Sequence, residues 1–267
     1  MPATTPPTRY LILTAGPHSD RLLASRTNRA AAEMRQRLGA ALPAADLAQL
    51  FVGTFHRLAL TLLQWAGRPC GLILDQVEAR QALALARREA NAGGRGRQTA
   101  AAISLAKASG DPAAFLADTP DLAAWRAYQA RLAAFQARDF DDLLLDLRDA
   151  LREDARLAEQ LRERFPQLLV DEFQDVNGVQ YDLVRLLAGD GRGLLVIGDP
   201  DQAIYGFRGA SPGFFDRLMA DFPAATRFQL RRNYRCQGAI AAAAERAGLA
   251  VGAVERRLVG GGRGLCG

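Results

Sequence analysis

The stretch Leu168-Leu169-Val170-Asp171-Glu172-Phe173-Gln174-Asp175 constrains the fold of this chain more than any other. A short apolar run that breaks off into carboxylates reads as a buried parallel strand delivering acids to its C-terminal edge. Open α/β sheets bind their ligands at that edge. Acids placed there suit metal–phosphate chemistry. Asp171 can hold a divalent ion directly or through water, and Glu172, facing the other way, can orient or deprotonate an attacking water. The competing reading of the same residues is a plain strand followed by an Asp that caps the next helix.

A second run of the same kind, Leu194-Leu195-Val196-Ile197-Gly198, reads as another buried strand and leads into Asp199-Pro200-Asp201-Gln202-Ala203-Ile204-Tyr205-Gly206-Phe207-Arg208. A neutral Gln202 at this place can bond a γ-phosphate oxygen and register its loss; its plainer reading is a turn residue. Phe207 beside Arg208 joins an aromatic face to a cation, the pairing suited to gripping single-stranded nucleic acid. Taken alone, Phe207 would more often be core.

Strand and helix patterns alternate around these two runs, which makes the fold class α/β. Tyr10–Thr14 and Leu22-Leu23-Ala24 read as short strands, and Thr27-Asn28 caps a helix that Gly39 ends. Phe51-Val52-Gly53-Thr54 is a strand running into an amphipathic helix over 55–63. From 71 to 138 the periodicity is helical and Ala-rich, with no strand pattern, as expected of an inserted subdomain. A helix from Asp139 to about Leu161, a helix over 178–188, a short helix over 211–220 and a last strand at Phe228-Gln229-Leu230 complete the pattern. The expected organisation is a disordered Pro/Thr-rich segment 1–8, a discontinuous α/β domain 9–70 and 139–235, and a helical subdomain 71–138. Residues 236–267 read as the truncated start of a second lobe with a Gly-rich tail.

Composition excludes some classes and leaves others open. No apolar run approaches the ~20 residues that span a bilayer. Cys70, Cys236 and Cys266 have no CxxC spacing and are odd in number, which favours a reducing cytoplasm and no structural zinc. A net charge of +5 permits a polyanionic partner. Nearly all the basic residues are Arg, a bias that genomic base composition alone can produce, and Lys107 is the single lysine.

Residues 168–175, 196–210 and 230–235 (LRRNYR), together with 27–37 (TNRAAAEMRQR), 52–56 (VGTFH) and 139–144 (DFDDLL), closely resemble the motifs of UvrD/Rep/PcrA-type superfamily 1 DNA helicases. They occur in the same order, over about 20–245. The resemblance implies a RecA-like P-loop NTPase lobe, a parallel sheet flanked by helices, with 71–138 as the all-helical insertion that touches duplex DNA. It implies ATP and Mg²⁺ as cofactors, with Asp171 on the metal, Glu172 activating water and Gln202 coupling the γ-phosphate to DNA. Arg235 would be an arginine finger and Tyr234 would stack on adenine. Thr27, Asn28, Phe55, His56, Tyr205, Phe207 and Arg208 would line the single-strand path. Single-stranded DNA and single-strand/duplex junctions would be the partners, in the cytoplasm and away from membranes. Plainer roles stay open for Asn28 (a helix cap) and His56 (a packed or capping side chain). Asp139 and Asp142 read as a cap and a structural pair.

One motif departs from the family's pattern. The phosphate loop should end in Gly-Lys-Thr, Lys on the phosphates and the hydroxyl on Mg²⁺. The nearest stretch is Ala15-Gly16-Pro17-His18-Ser19-Asp20-Arg21-Leu22, in which Gly16, Ser19 and Arg21 are the candidates for phosphate contact. His18 and Asp20 stand where glycines belong, and Leu22 cannot ligate a metal. Only seven residues separate Thr14 from Leu22, too few for a parallel crossover, so Tyr10–Thr14 is expected to be barred from the centre of the sheet. The glutamine motif that reads adenine is missing too. The expectation is an ATP-dependent 3′→5′ DNA helicase by descent, degenerate here, with weak or no ATPase. The alternatives are a non-catalytic single-stranded-DNA- or partner-binding remnant, with a partner supplying the second lobe, or the product of an interrupted gene.

Overall fold

The computed structural model describes residues 10–14, 27–68, 70–91, 96–203, 205–230, 232–233, 238–250 and 259–260. The chain divides into two compact units, Met1–Phe222 and Pro223–Gly267. The first runs β1 (Tyr10–Thr14), α1 (Thr27–Ala41), α2 (Ala44–Leu47), β2 (Leu50–Thr54) and α3 (Phe55–Trp65). It continues through β3 (Leu72–Ile73), α4 (Gln76–Glu89), α5 (Gly96–Ser109), α6 (Pro112–Phe115), α7 (Asp121–Ala134) and β4 (Ala137–Arg138). It ends with α8 (Phe140–Glu153), α9 (Ala155–Arg164), β5 (Gln167–Asp171), α10 (Gly178–Ala188), β6 (Leu194–Val196) and α11 (Gly213–Asp221).

Four strands form one parallel sheet in the order β2-β1-β5-β6. β1 therefore sits inside the sheet, paired along its length from Tyr10↔Leu50 to Thr14↔Thr54 on one side and from Tyr10↔Gln167 to Thr14↔Asp171 on the other. This overturns the expectation that it would be barred from that place. The expectation measured the crossover to Leu22-Leu23-Ala24, residues that lie outside those described. The next strand in the chain to pair with β1 is β2, and the crossover to it, residues 15–49, carries α1 and α2. That is ample length for a parallel connection.

Side chains along β1 alternate between the faces. Ile12 packs with Ala31, Leu50 and Val52 beneath α1. Leu13, fully buried, joins Phe55, Leu58, Leu143, Leu147, Val170 and Val184 beneath α3, α8 and α10. Helices thus cover both faces, and the strands read as apolar runs for that reason. β6 is the exception: among the described residues it pairs with β5 alone, and Leu195 and Ile197 are half exposed, not buried as the run suggested.

The region 71–138 has a core of its own, built on Leu83, Ala86, Ile103, Leu116, Tyr128 and Leu132. It does contain strand, contrary to the sequence pattern: β3 and β4 pair over two residues and tie the start of this region to its end. Gly71, at φ +63°, makes that neck, because a Cβ there would collide with the Gln136 carbonyl. The single lysine secures the junction from the other side. Lys107 on α5 is buried, its Nζ 2.6 Å from Asp139 Oδ2 and 2.7 Å from Asp142 Oδ1 at the start of α8. Asp139 and Asp142 also cap that helix reciprocally, each accepting the other's backbone N–H. Burial alone would lower the Lys107 pKa; the two carboxylates outweigh it and hold the ammonium well above its ordinary value. Burial likewise works against the Asp139 carboxylate, and the Lys107 charge brings it below the ordinary carboxyl range.

Two further expectations change. The helix from Asp139 is two helices, because Asp154 leaves helical geometry and its side chain accepts the Leu157 N–H to start α9. Phe228-Gln229-Leu230 is not a strand: Phe228 and Leu230 are more than four-fifths exposed, and no neighbouring strand pairs with them among the described residues. In the second unit β7 (Arg232–Asn233) pairs with β8 (Val259–Gly260), accompanied by α12 (Gly238–Ala250). No helix among the described residues is long and apolar enough to cross a membrane.

Candidate active site

β5 ends on Asp171, and Glu172 follows in the left-handed region at φ 53°, ψ 43°. For a side chain of this type that geometry costs on the order of 1 kcal/mol. Three bonds donated by backbone N–H groups hold it there. Glu172 N–H donates to Asp171 Oδ1 at 3.0 Å. Phe173 N–H donates to Ile197 O at 2.9 Å, extending the β5–β6 ladder, and Asp175 N–H donates to Glu172 O at 2.9 Å, closing a tight turn over Phe173–Asp175. The kink leaves Glu172 exposed while Phe173 drops into the core, edge-on to Phe215 with centroids 5.0 Å apart.

Beneath Glu172 lies Gln174, only 2% exposed. Its Nε2 donates to Glu172 Oε2 at 2.6 Å and its Oε1 accepts the Asp199 N–H at 2.9 Å. Asp199 in turn caps the turn Pro200–Gln202: Oδ1 accepts the Asp201 N–H at 3.1 Å, and Oδ2 accepts from Gln202 Nε2 at 2.9 Å. A hydrogen-bonded chain Glu172–Gln174–Asp199–Gln202 therefore joins the ends of β5 and β6. Gly198 makes room for it, since a Cβ there would stand 2.6 Å from Gln174 Oε1 and 2.9 Å from Phe173 N. Asp175 completes the acidic edge. Its Oδ1 is buried with no hydrogen-bond partner among the described residues, and burial first, then the Glu172 charge, push its carboxyl up to about 6.

A second tight turn, Gly206–Arg208, follows. The Tyr205 and Phe207 rings lie 5.9 Å apart, and the Arg208 guanidinium sits 5.8 Å from one centroid and 5.4 Å from the other. Phe207 is 69% exposed, so one aromatic face is available to a base. Gly209, at φ +81°, closes the turn against Leu105 and Ala108 of α5.

The profile of the UvrD/REP helicase N-terminal domain matches residues 8–223. The chain belongs to this family. It is 36% identical over 232 residues to the DNA helicase II of Salmonella typhimurium, an alignment covering 82% of this chain and 32% of that protein. It is 35% identical over 226 residues to the ATP-dependent DNA helicase PcrA of Leuconostoc citreum, covering 78% and 30%. To the ATP-dependent DNA helicase Rep of Salmonella typhimurium it is 32% identical over 237 residues, covering 82% and 34%. The chain spans about a third of the length of these curated relatives.

Of the residues marked by the UvrD-type motifs, Asp171, Glu172 and Gln202 meet at one sheet edge, and Tyr205, Phe207 and Arg208 follow on the next turn. Phe55 does not join them. It is fully buried in the main core, so stacking on a base is ruled out for it in this conformation. His56 is buried too, its ring 6.0 Å from that of Phe140. Both occupy the first turn of α3, whose cap is Thr54, the acceptor for Arg57 N–H at 3.3 Å. The backbone of Thr27 and Asn28 forms the first turn of α1, while their side chains lie outside the described residues. Gly16, Ser19, Arg21, Tyr234 and Arg235 also lie outside them. Gln174 and Asp199 were missed as participants; the available signal was a polar side chain directly after a core Phe, in a position that must be buried. Among the described residues no group of three His, Cys, Asp or Glu side chains is placed to hold a metal. Asp171 fits the sparser pattern of Mg²⁺, which takes one or two carboxylates and completes its shell with phosphates and water.

Proposed function

We propose that this chain is the RecA-like ATPase lobe of a UvrD-type DNA helicase, carrying 71–138 as its insertion, and that this polypeptide by itself hydrolyses little or no ATP. The observation carrying the reading is the linked pair at the sheet edge: Glu172 exposed beside Asp171, and tied through Gln174 and Asp199 to Gln202. MgATP, where bound, would supply the phosphoryl group to be transferred to water. Asp171 would hold the metal, Glu172 would orient or deprotonate the water, and Gln202 would respond to the γ-phosphate. The motif match adds Tyr234 against adenine and Arg235 on the transferring charge, with Gly16, Ser19 and Arg21 as the remaining phosphate contacts. The weakness lies in that loop, where His18, Asp20 and Leu22 replace two glycines and the metal-binding hydroxyl.

Single-stranded DNA, or its junction with duplex, is the polyanion this basic chain would take up in the cytoplasm. Tyr205 and Phe207 would stack on bases and Arg208 would reach the backbone. The exposure of Phe207 also favours a second reading, a DNA-binding lobe without catalysis. Fluorescence anisotropy with a single-stranded oligonucleotide tests the DNA step common to both. Binding that weakens steeply with salt is expected, and no binding at low salt would overturn both. MgATP binding separates them: nucleotide taken up by this chain favours the ATPase lobe, and none favours the DNA-binding lobe without catalysis.

A further inference from the structure

We infer that Gln174 is a positioning residue that sets Glu172 and the Asp199–Gln202 turn together, so that a displacement at one is felt at the other. The inference rests on the hydrolytic reading of this edge for its purpose, but its geometry stands by itself. A primary amide has a donor end and an acceptor end, and the two cannot be exchanged without losing both bonds. Here the donor end is committed to the Glu172 carboxylate at 2.6 Å and the acceptor end to the Asp199 N–H at 2.9 Å. The side chain is buried, with Phe173 beside it in the core and Gly198 leaving no spare room, so the amide cannot turn to find other partners. Asp199 then passes the constraint on, because its carboxylate holds both the Asp201 N–H and the Gln202 side chain. A nucleotide that moves Gln202 on gaining or losing its terminal phosphate would pull on Asp199, and through one rigid amide on the carboxylate that faces the water. The left-handed backbone of Glu172 suits this use, since a residue held in a sparsely populated conformation by surrounding bonds shifts when one of them is released.

Amide hydrogen exchange of Asp199, read by NMR on the full chain without nucleotide, tests the link. In Gln174→Leu the Asp199 amide loses its acceptor and should exchange about tenfold faster, the factor equivalent to one lost hydrogen bond of ordinary strength. Gln174→Glu keeps an acceptor for Asp199 but sets a second carboxyl against that of Glu172, so it disturbs the Glu172 side of the link and reports on it even if the Leu variant fails to fold. Glu172→Ala decides the matter. It leaves Gln174 and Asp199 untouched yet removes the anchor of the amide, and should speed Asp199 exchange several-fold, whereas Glu172→Gln, which can still accept from Nε2, should restore the wild-type rate. Unchanged Asp199 exchange in Glu172→Ala would overturn the inference and leave Gln174 a satisfied core amide. None of these readouts needs nucleotide, so failure to bind MgATP with an intact link would count against the nucleotide reading of this edge alone.

Discussion

Replacing Lys107 by Met should cost more stability than any exposed charge in the chain. The Lys107 side chain is 0% exposed and those of Asp139 and Asp142 are 15% and 7% exposed. Both carboxylates keep other donors: Tyr128 OH at 2.9 Å to Asp139, Gln129 Nε2 at 3.0 Å to Asp142, and the reciprocal backbone caps. What the substitution removes is the compensating charge. Stripping one partner from a buried pair costs about 3–5 kcal/mol, which for a unit of this size lowers the melting temperature by about 6–20 °C. Adding Asp142→Asn should recover part of the loss by removing one uncompensated charge, and Asp139→Asn as well should recover more, since Asn caps a helix as well as Asp does. The sign with pH follows from the shifts. Asp139 is held below its ordinary 3.8, so its share is present above that value and lost as pH falls through it. Lys107 is held above its ordinary 10.5, so its share is present below that value and lost as pH rises beyond it. The gap between wild type and Lys107→Met in thermal melts should therefore be widest between about pH 5 and 9 and shrink in acid. A loss below about 1 kcal/mol at pH 7, the size of an exposed pair, would refute the clamp.

Asp175 should behave in the opposite sense to Asp139. Its carboxyl is raised from 3.8 to about 6, so the fold holds the proton more tightly than the unfolded chain and stability falls as pH rises between those values. Asp175→Asn should raise the melting temperature at pH 8 and leave it nearly unchanged at pH 4; equal effects at both would contradict the assignment. The two motif phenylalanines should separate cleanly. Phe55→Ala should cost about 3–5 kcal/mol of stability in denaturant melts, as for any buried aromatic. Phe207→Ala should leave stability unchanged and weaken single-stranded DNA binding by about 5- to 150-fold, the loss of one base stack.

The main strands and most of the helices were legible because their patterns are local. Leu168-Leu169-Val170 alternates between two covered faces, and Asp75, Asp139 and Asn177 each begin a helix with a reciprocal cap. The errors came where a partner far away in the chain decides. β1 is central because of ladders to β2 and β5, and no local count of residues 15–21 contains that information. Phe228-Gln229-Leu230 has strand propensity but no strand beside it among the described residues, and propensity without a ladder makes no sheet. Phe55 sits next to a motif histidine, and only packing shows that its ring belongs to the core. Lys107 carries a signal of its own: in a chain that otherwise uses Arg, the lone compact ammonium marks the place where a point charge fits between two carboxylates. Gln174 lay inside the recognised motif, yet its role needed the distances to Glu172 and Asp199.

Steady-state ATP hydrolysis by this chain, with Mg²⁺ and with or without a single-stranded oligonucleotide, tests the central claim most directly. Intact acids at Asp171 and Glu172 beside an altered phosphate loop predict turnover at background, unstimulated by DNA and unchanged in Glu172→Gln. DNA-stimulated turnover of about 1 s⁻¹ or more, in the range of working phosphoryl-transfer enzymes, that Glu172→Gln abolishes would contradict it.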